Sequence, residues 1–392
     1  MNKYKIGVTV ILKNGESFFE NGIKQNCIML AKLLMISGHD VTLVNFANEN
    51  QLEEFKFGDI EYKLINVNKS FEEVSNLDIL IHVSTIPNKS ETLYFKSKNP
   101  NLKVISYKCG NNYVNDMEDI LFKSRPTNEN YITYDDSVDG IWYVPQQQFN
   151  NHDYYSILNR VSSKAIPFVW DPMFIQEHIN ATPDCFYKPN GLKGKDISVF
   201  EPNINIVKYS VPSILAIEHA NRLEPDYINN VRITNTKQIM EVNLFVGMMN
   251  QLDIVKQQKA SFNSRYPIVY YLKEKTDIVV SHQWANPLNY LYLDVLYMGY
   301  PLVHNADLLK DLGYYYKDFN LKDAGELILK VAKEYDNDYE AIRKKNLKII
   351  QRYIPTNTKL QEQYNLLLDS LFDEELEKSK SWELNWKKNT YK

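Results

Sequence analysis

The feature that most constrains this chain is an alternation of short apolar runs with helical periodicity. Residues 6–12 are a β-branched run bounded by Lys5 and the Lys13-Asn14-Gly15 turn, which reads as a buried parallel strand. A polar loop follows. Apolar positions then recur at helical spacing over residues 22–36 (Ile23, Cys27, Leu30, Ala31, Leu34), and Gly38 ends that helix. Residues 41–44 give a second strand. Strand, loop, helix, strand is the opening of a doubly wound parallel sheet.

The alternation recurs along the chain. Further strands are expected at residues 79–83, 104–107, 141–144 and 165–169, and then at 197–200, 242–246, 268–271, 278–281 and 301–304. Helices are expected at 213–222, 287–298, 323–350 and 358–388, the last carrying Trp382 and Trp386 one turn apart. Residues 171–195 hold three prolines and two glycines with weak periodicity and read as a connection. At roughly 100–200 residues per domain, 392 residues suit two domains. The expected fold class is α/β, with two Rossmann-like doubly wound domains facing a central cleft. Residues 1–170 are expected to form the N-terminal domain, 171–195 the linker, and 196–357 the C-terminal domain. Residues 358–392 form a helical tail packing back on the first domain.

Composition narrows the function classes. Lys and Arg number 45 against 49 Asp and Glu, a net charge of −4, so no global field draws the chain to nucleic acid or anionic lipid. The three cysteines, Cys27, Cys109 and Cys185, lie far apart without a CxxC pair, which argues against a disulfide framework or zinc site and fits a reducing compartment. The N-terminal apolar run, broken at Lys13, is too short for a signal peptide or membrane span. A soluble, cytoplasmic protein is expected.

Parallel sheets bind ligands at the carboxyl ends of their strands, so the strand-to-helix loops are where chemistry is expected. The first, residues 13–22, offers Asn14, Glu20 and Gly22. Glu20 is either a general base for an acceptor hydroxyl or a helix-capping acid. There is no GxGxxG fingerprint for a nicotinamide cofactor. The second, residues 201–210, carries Glu201, Asn203 and Lys208 before a helix start marked by Ser210 and Pro212. Lys208 beside free backbone N–H groups suits a diphosphate, or is a solvated lysine next to an ordinary cap. The third is the densest: Ser281-His282-Gln283-Trp284-Ala285-Asn286-Pro287-Leu288-Asn289-Tyr290, with Asp294 in the helix beyond and Gly299-Tyr300-Pro301 at its end. Asn286 with Pro287 reads as the cap pair, and Asp294 as an acceptor for ribose hydroxyls. The fourth, residues 108–112, leads to Asp116 and Glu118, which compete with Glu20 as base.

The segments Glu20-Asn21-Gly22, Phe200-Glu201-Pro202-Asn203 with Val207-Lys208, Ser281-His282-Gln283-Trp284, Asn289-Tyr290-Leu291-Tyr292-Leu293-Asp294 and Gly299-Tyr300-Pro301-Leu302-Val303-His304-Asn305 resemble a bacterial and phage family of unknown function that looks like the GT-B glycosyltransferases. The resemblance spans nearly the whole chain. In the wider superfamily an acid–x7–acid pattern precedes a Gly-x-Pro turn. Asp294 matches the second acid, while Asn286 departs from the first and weakens the case for a retaining mechanism. The same stretch is similar to the donor-binding helix of phage DNA glucosyltransferases. What the resemblance implies is a metal-independent glycosyltransferase taking its sugar from a nucleotide donor, UDP-linked by expectation, with no permanently bound cofactor. The implied acceptor is 5-hydroxymethylcytosine in double-stranded DNA of a T4-like phage, with arabinose among the sugars such phages attach, or a cell-surface glycan. A sugar-nucleotide epimerase and a non-catalytic binding module are the competing readings.

Overall fold

The computed structural model describes residues 2–15, 22–83, 87–122 and 135–379. The chain divides into two compact units: Met1–Phe174 together with Arg352–Lys392, and Ile175–Gln351.

The first unit is built on an eight-stranded sheet. Its strands are β1 (Lys5–Val10), β2 (Asp40–Asn45), β3 (Phe55–Phe57), β4 (Ile60–Asn66), β5 (Ile79–His82), β6 (Lys103–Lys108), β7 (Gly140–Tyr143) and β8 (Ser163–Ala165), in the order β3-β4-β2-β1-β5-β6-β7-β8. All neighbours are parallel except β3 on β4. Five consecutive buried residues in β1 mark a strand covered on both faces. Gly7 lets the neighbouring side chains close over the strand: a Cβ there would lie 2.5 Å from Leu77 Cδ1, and Leu77 would have to shift. The chain returns to this unit at Arg352. Helix Thr358–Asp369 is capped by Asn357 and tied down by side-chain bonds to the rest of the unit. Tyr364 donates to the Pro167 carbonyl (2.7 Å), His39 Nε2 meets Asn365 Oδ1 (2.8 Å), and Tyr4 donates to Asp369 (2.7 Å).

The second unit carries β9 (Lys195–Val199), β10 (Ile228–Ile233), β11 (Ala260–Phe262), β12 (Ile278–Val280), β13 (Leu302–His304) and β14 (Tyr314–Tyr315), all parallel, in the order β11-β10-β9-β12-β13-β14. The order reverses between β9 and β12. This is a doubly wound order, and open sheets of this kind take ligands in the crevice outside the carboxyl ends of those two strands. Helix Leu321–Ile350 packs on helix Val211–Leu223 so closely that Gly325 has no room for a side chain: a Cβ would meet the Ala216 carbonyl at 2.9 Å.

Several expected elements differ. Residues 242–246 and 268–271, read as strands, belong to helices Asn243–Met249 and Ile268–Lys275. Short apolar runs do not distinguish the two states by periodicity. The helix expected at 287–298 starts at Tyr290 and is capped by Asn289, whose side chain accepts from Leu291 N (3.3 Å), not by the Asn286–Pro287 pair. The connection 171–195 contains helix Met173–Ala181. The tail breaks after Asp369 and resumes as Glu374–Ser379; Trp382 and Trp386 lie outside the described residues.

Candidate donor site

Nine of the expected site residues belong to the second unit: seven lie on the loops leaving β9 and β12, and Tyr290 and Asp294 on the helix that follows the β12 loop. The β9 loop is shaped by Asn203, which holds a left-handed backbone (φ 55°) that asparagine tolerates. Its Oδ1 accepts from Ser210 N (2.8 Å), and its Nδ2 donates to the carbonyls of Glu201 (3.1 Å) and Asn235 (3.2 Å). The loop is thereby folded back onto the start of helix Val211–Leu223. The β12 loop is joined to it where Trp284 N donates to the Val207 carbonyl (3.0 Å).

Glu201 sits beneath these loops, 1% exposed, and not on an open wall. It accepts from the Ser281 hydroxyl, from Gln283 Nε2 (3.3 Å) and from the His282 backbone. Burial pushes its carboxyl up to about 7, opposed by Ser281 and by the charge of Lys208. Ser281 meets Tyr292 Oη at 2.6 Å, and Asn286 donates to Gln283 Oε1. Asn305 closes the brace: its Oδ1 accepts from Gln283 N (2.9 Å) and its Nδ2 donates to the Gln283 carbonyl (2.9 Å). His282 is buried, bonded to Tyr316 Oη through Nδ1 (2.9 Å) and packed against Phe319. Burial lowers its pKa to about 4, so the ring is neutral at pH 7.

Above this brace the groups differ in kind. Lys208 is half-buried; burial lowers its pKa, opposed by the charge of Glu201. Ser210 and Ser213, both fully buried in the first turn of helix Val211–Leu223, have hydroxyls with no partner. The first-turn N–H groups of a helix are unsatisfied by the helix itself. A cation, two hydroxyls and a helix N-terminus thus fall within six residues of the chain, a set of the kind that suits an anion. Asn289, Tyr290 and Asp294 are half-buried on the helix that faces out of the β12 loop. Asp294 is one turn from that helix's start, on the face of Tyr290. Gly299 terminates it with φ 82°. Trp284 is 38% exposed.

The other expected residues belong to the first unit. Asn14 donates to the Gln51 carbonyl (3.3 Å) and Gly22 opens helix Gly22–Ile36. Asp116, 8% exposed on helix Asn112–Phe122, accepts from Tyr154 Oη (2.7 Å). Glu20 lies outside the described residues. Ser213, Asn305, Tyr316 and Phe319 were not anticipated. Ser213 carried one signal, a small polar residue in the first turn of an apolar helix.

The second unit is thus a doubly wound sheet with these residues at its switch point. Residues 6–368 match the family described as "Protein of unknown function (DUF2827)", and the chain belongs to that family. No curated protein sequence matches it. Among solved structures it is similar to an α,α-trehalose-phosphate synthase (UDP-forming) from Burkholderia xenovorans, with 8% identity, TM-score 0.57, and 95% of this chain and 100% of that one covered. It is also similar to sucrose-phosphate synthase from Thermosynechococcus elongatus, with 10% identity, TM-score 0.56, and 94% and 99% covered. A third is the DNA modifying enzyme β-glucosyltransferase, solved with and without uridine diphosphoglucose, with 12% identity, TM-score 0.53, and 93% and 99% covered. The fold is the GT-B one: two α/β units on parallel sheets.

Proposed function

We propose that this protein is a glycosyltransferase whose second unit holds a nucleotide-sugar donor, UDP-linked. The observation that carries the reading is Lys208 on the β9 loop, followed by the buried, partnerless hydroxyls of Ser210 and Ser213, at the switch point of a β11-β10-β9-β12-β13-β14 sheet. In transfer, the acceptor oxygen bonds to the anomeric carbon as the bond from that carbon to the diphosphate oxygen breaks. Negative charge gathers on the leaving diphosphate, where Lys208 and the first turn of helix Val211–Leu223 stabilise it. Asp294 accepts the ribose hydroxyls, and His282, neutral and fixed by Tyr316, holds the loop without adding charge. The acceptor proton passes to a carboxylate, for which Glu20 and Asp116 remain the two named residues.

Among the described residues no three His, Cys, Asp or Glu side chains are grouped to hold a metal ion. No described helix is long and apolar enough to cross a membrane. The acceptor proposed for first test is 5-hydroxymethylcytosine in DNA, supported by the likeness to the DNA modifying β-glucosyltransferase. Of the basic stretches that would meet DNA, Lys259 is engaged by Asn221 (2.9 Å) and the Pro225 carbonyl (2.7 Å), whereas Lys344, Lys345 and Lys348 are exposed.

Calorimetric titration with UDP tests the donor reading. A charged hydrogen bond contributes about 1.5–3 kcal/mol, so Lys208→Met should weaken UDP roughly 10- to 100-fold. Asp294→Ala should weaken it while leaving inorganic diphosphate unaffected. Absence of UDP binding to the parent chain would refute the donor site. Mass spectrometry of nucleosides from hydroxymethylcytosine DNA, incubated with enzyme and a panel of nucleotide sugars, tests the acceptor. No mass gain with any donor would remove DNA and leave a glycan acceptor. Donor conversion without an acceptor would identify an epimerase.

A further inference from the structure

The first unit carries a groove of about 540 Å³ formed by its own residues, a size that suits a bound ligand. Its lining includes Tyr113 on helix Asn112–Phe122 and Phe149, Asn150, Asp153, Tyr154 and Ile157 on helix Gln148–Asn159. These helices follow β6 and β7, and Tyr113 and Phe149 are each the second residue of their helix. The groove therefore begins towards the carboxyl edge of the sheet. From Phe149 it runs along the second helix to Ile157, about 12 Å.

Part of this wall is held in place. The Tyr154 hydroxyl donates to Asp116 (2.7 Å), and Tyr113 meets the Tyr154 ring edge-on with centroids 5.5 Å apart. Asn150 Oδ1 accepts from Asn151 Nδ2 (2.8 Å) and Asn111 Nδ2 (3.3 Å), which orients its amide. Phe149, 92% exposed, stands in one row with the exposed Asp153 and Ile157, at steps of four residues. Asn150 and Tyr154 form the row beside it.

This interleaving of rings with an amide and a carboxylate narrows the class of ligand. A hydrocarbon chain laid from Phe149 to Ile157 would cover the Asp153 carboxylate between them and leave it unpaired, which is costly. A nucleic-acid backbone would bring phosphates to that carboxylate, and neither helix contains a lysine or arginine to meet them. A sugar ring has both of the required surfaces, an apolar C–H face and a rim of hydroxyl donors. We propose that the groove binds a neutral oligosaccharide, with Phe149 and Tyr113 against the ring faces and Asn150 and Asp153 bonded to the hydroxyls. The site belongs to the first unit alone and does not rest on the donor reading.

Saturation-transfer-difference NMR of the full chain with maltoheptaose, cellohexaose or chitohexaose, in the presence of excess UDP, tests it. UDP occupies the donor crevice if that crevice binds it, and a chain that fails to bind UDP still reports on the groove. The expected result is transfer to the ring C–H protons of at least one probe. Phe149→Ala and Tyr113→Ala should each weaken that probe about tenfold. Asp153→Ala should weaken it by at least about tenfold, and Asp153→Asn by less, because the amide still accepts a hydrogen bond. All three positions are exposed, and unchanged thermal unfolding reports an intact fold. No transfer to any probe overturns the proposal, as does transfer undiminished by Phe149→Ala combined with Asp153→Ala. A dimer in light scattering that Phe149→Ala dissociates also overturns it, and gives the groove to a second copy of the chain.

Discussion

Glu201→Gln probes whether the donor crevice rests on a buried acid. In the folded chain this carboxyl is pushed up from 4.5 to about 7, with burial the largest cause. Below about pH 4.5 the group is protonated in both folded and unfolded chains and contributes no pH dependence. Between about 4.5 and 7 the unfolded chain gives up the proton while the folded chain keeps it, so stability falls as pH rises. Above about 7 the loss is complete. A shift of about 2.5 units corresponds to about 3 kcal/mol at 1.36 kcal/mol per unit.

Glutamine keeps the size and removes the titration. It also turns one acceptor into a donor facing Ser281 or Gln283, an offset of about 1–3 kcal/mol that does not depend on pH. The expected result is therefore a variant less stable than the parent near pH 4.5, gaining on it by about 3 kcal/mol by about pH 8. Urea unfolding at a series of pH values, followed by the emission of Trp284 against that of Trp142 and Trp170, reads the difference. A variant-minus-parent difference flat across this window, or one that grows more unfavourable as pH rises, would refute the reasoning.

Three other substitutions are informative. Gly325→Ala should cost about 1–3 kcal/mol, since its methyl meets helix backbone at Ala216 and Ala220 and neither can yield; thermal unfolding reads this. His82, fully buried with both ring nitrogens unpartnered, has its pKa pushed down to about 3. The folded chain then resists protonation that the unfolded chain accepts below about 6.5, so stability is lost on acidification, and His82→Leu should gain about 2 kcal/mol at pH 5 relative to pH 8. Tyr364→Phe removes the bond to the Pro167 carbonyl and should cost about 1 kcal/mol, with faster amide exchange in helix Thr358–Asp369.

The doubly wound character of both units was legible because β5 and β12 are buried along their whole length, and β1 from Ile6 onward, and so read as near-continuous apolar runs. β10 was not. Its sequence, Ile-Asn-Asn-Val-Arg-Ile, breaks the run with three polar residues, and their compensation is distant in sequence. Asn229, Asn230 and Arg232 all bond to Asp196, at 2.8, 2.7 and 2.7 Å. No local pattern encodes a partner 33 to 36 residues away, so the apolar runs nearby at 242–246 and 268–271 took its place. The start of helix Tyr290–Tyr297 was misplaced for a similar reason. Asn286 is a good cap by type, but its side chain is taken by Gln283, and the capping falls to Asn289.

The same distinction holds within the candidate site. Lys208 and Asp294 were visible as charged residues at strand-to-helix positions. The state of Glu201 was not, because its burial depends on Ser281, Gln283 and Tyr292, eighty or more residues later. This dependence bears on how the crevice works. Ala285 holds φ 48°, a left-handed conformation that costs a non-glycine residue about 1–2 kcal/mol and that alanine has no side-chain bond to repay. It persists between Trp284, fixed to Val207, and Asn286, fixed to Gln283, which in turn is held by Glu201 and Asn305. Every one of these partners belongs to the second unit. The backbone of both loops is thus held by bonds made within that unit.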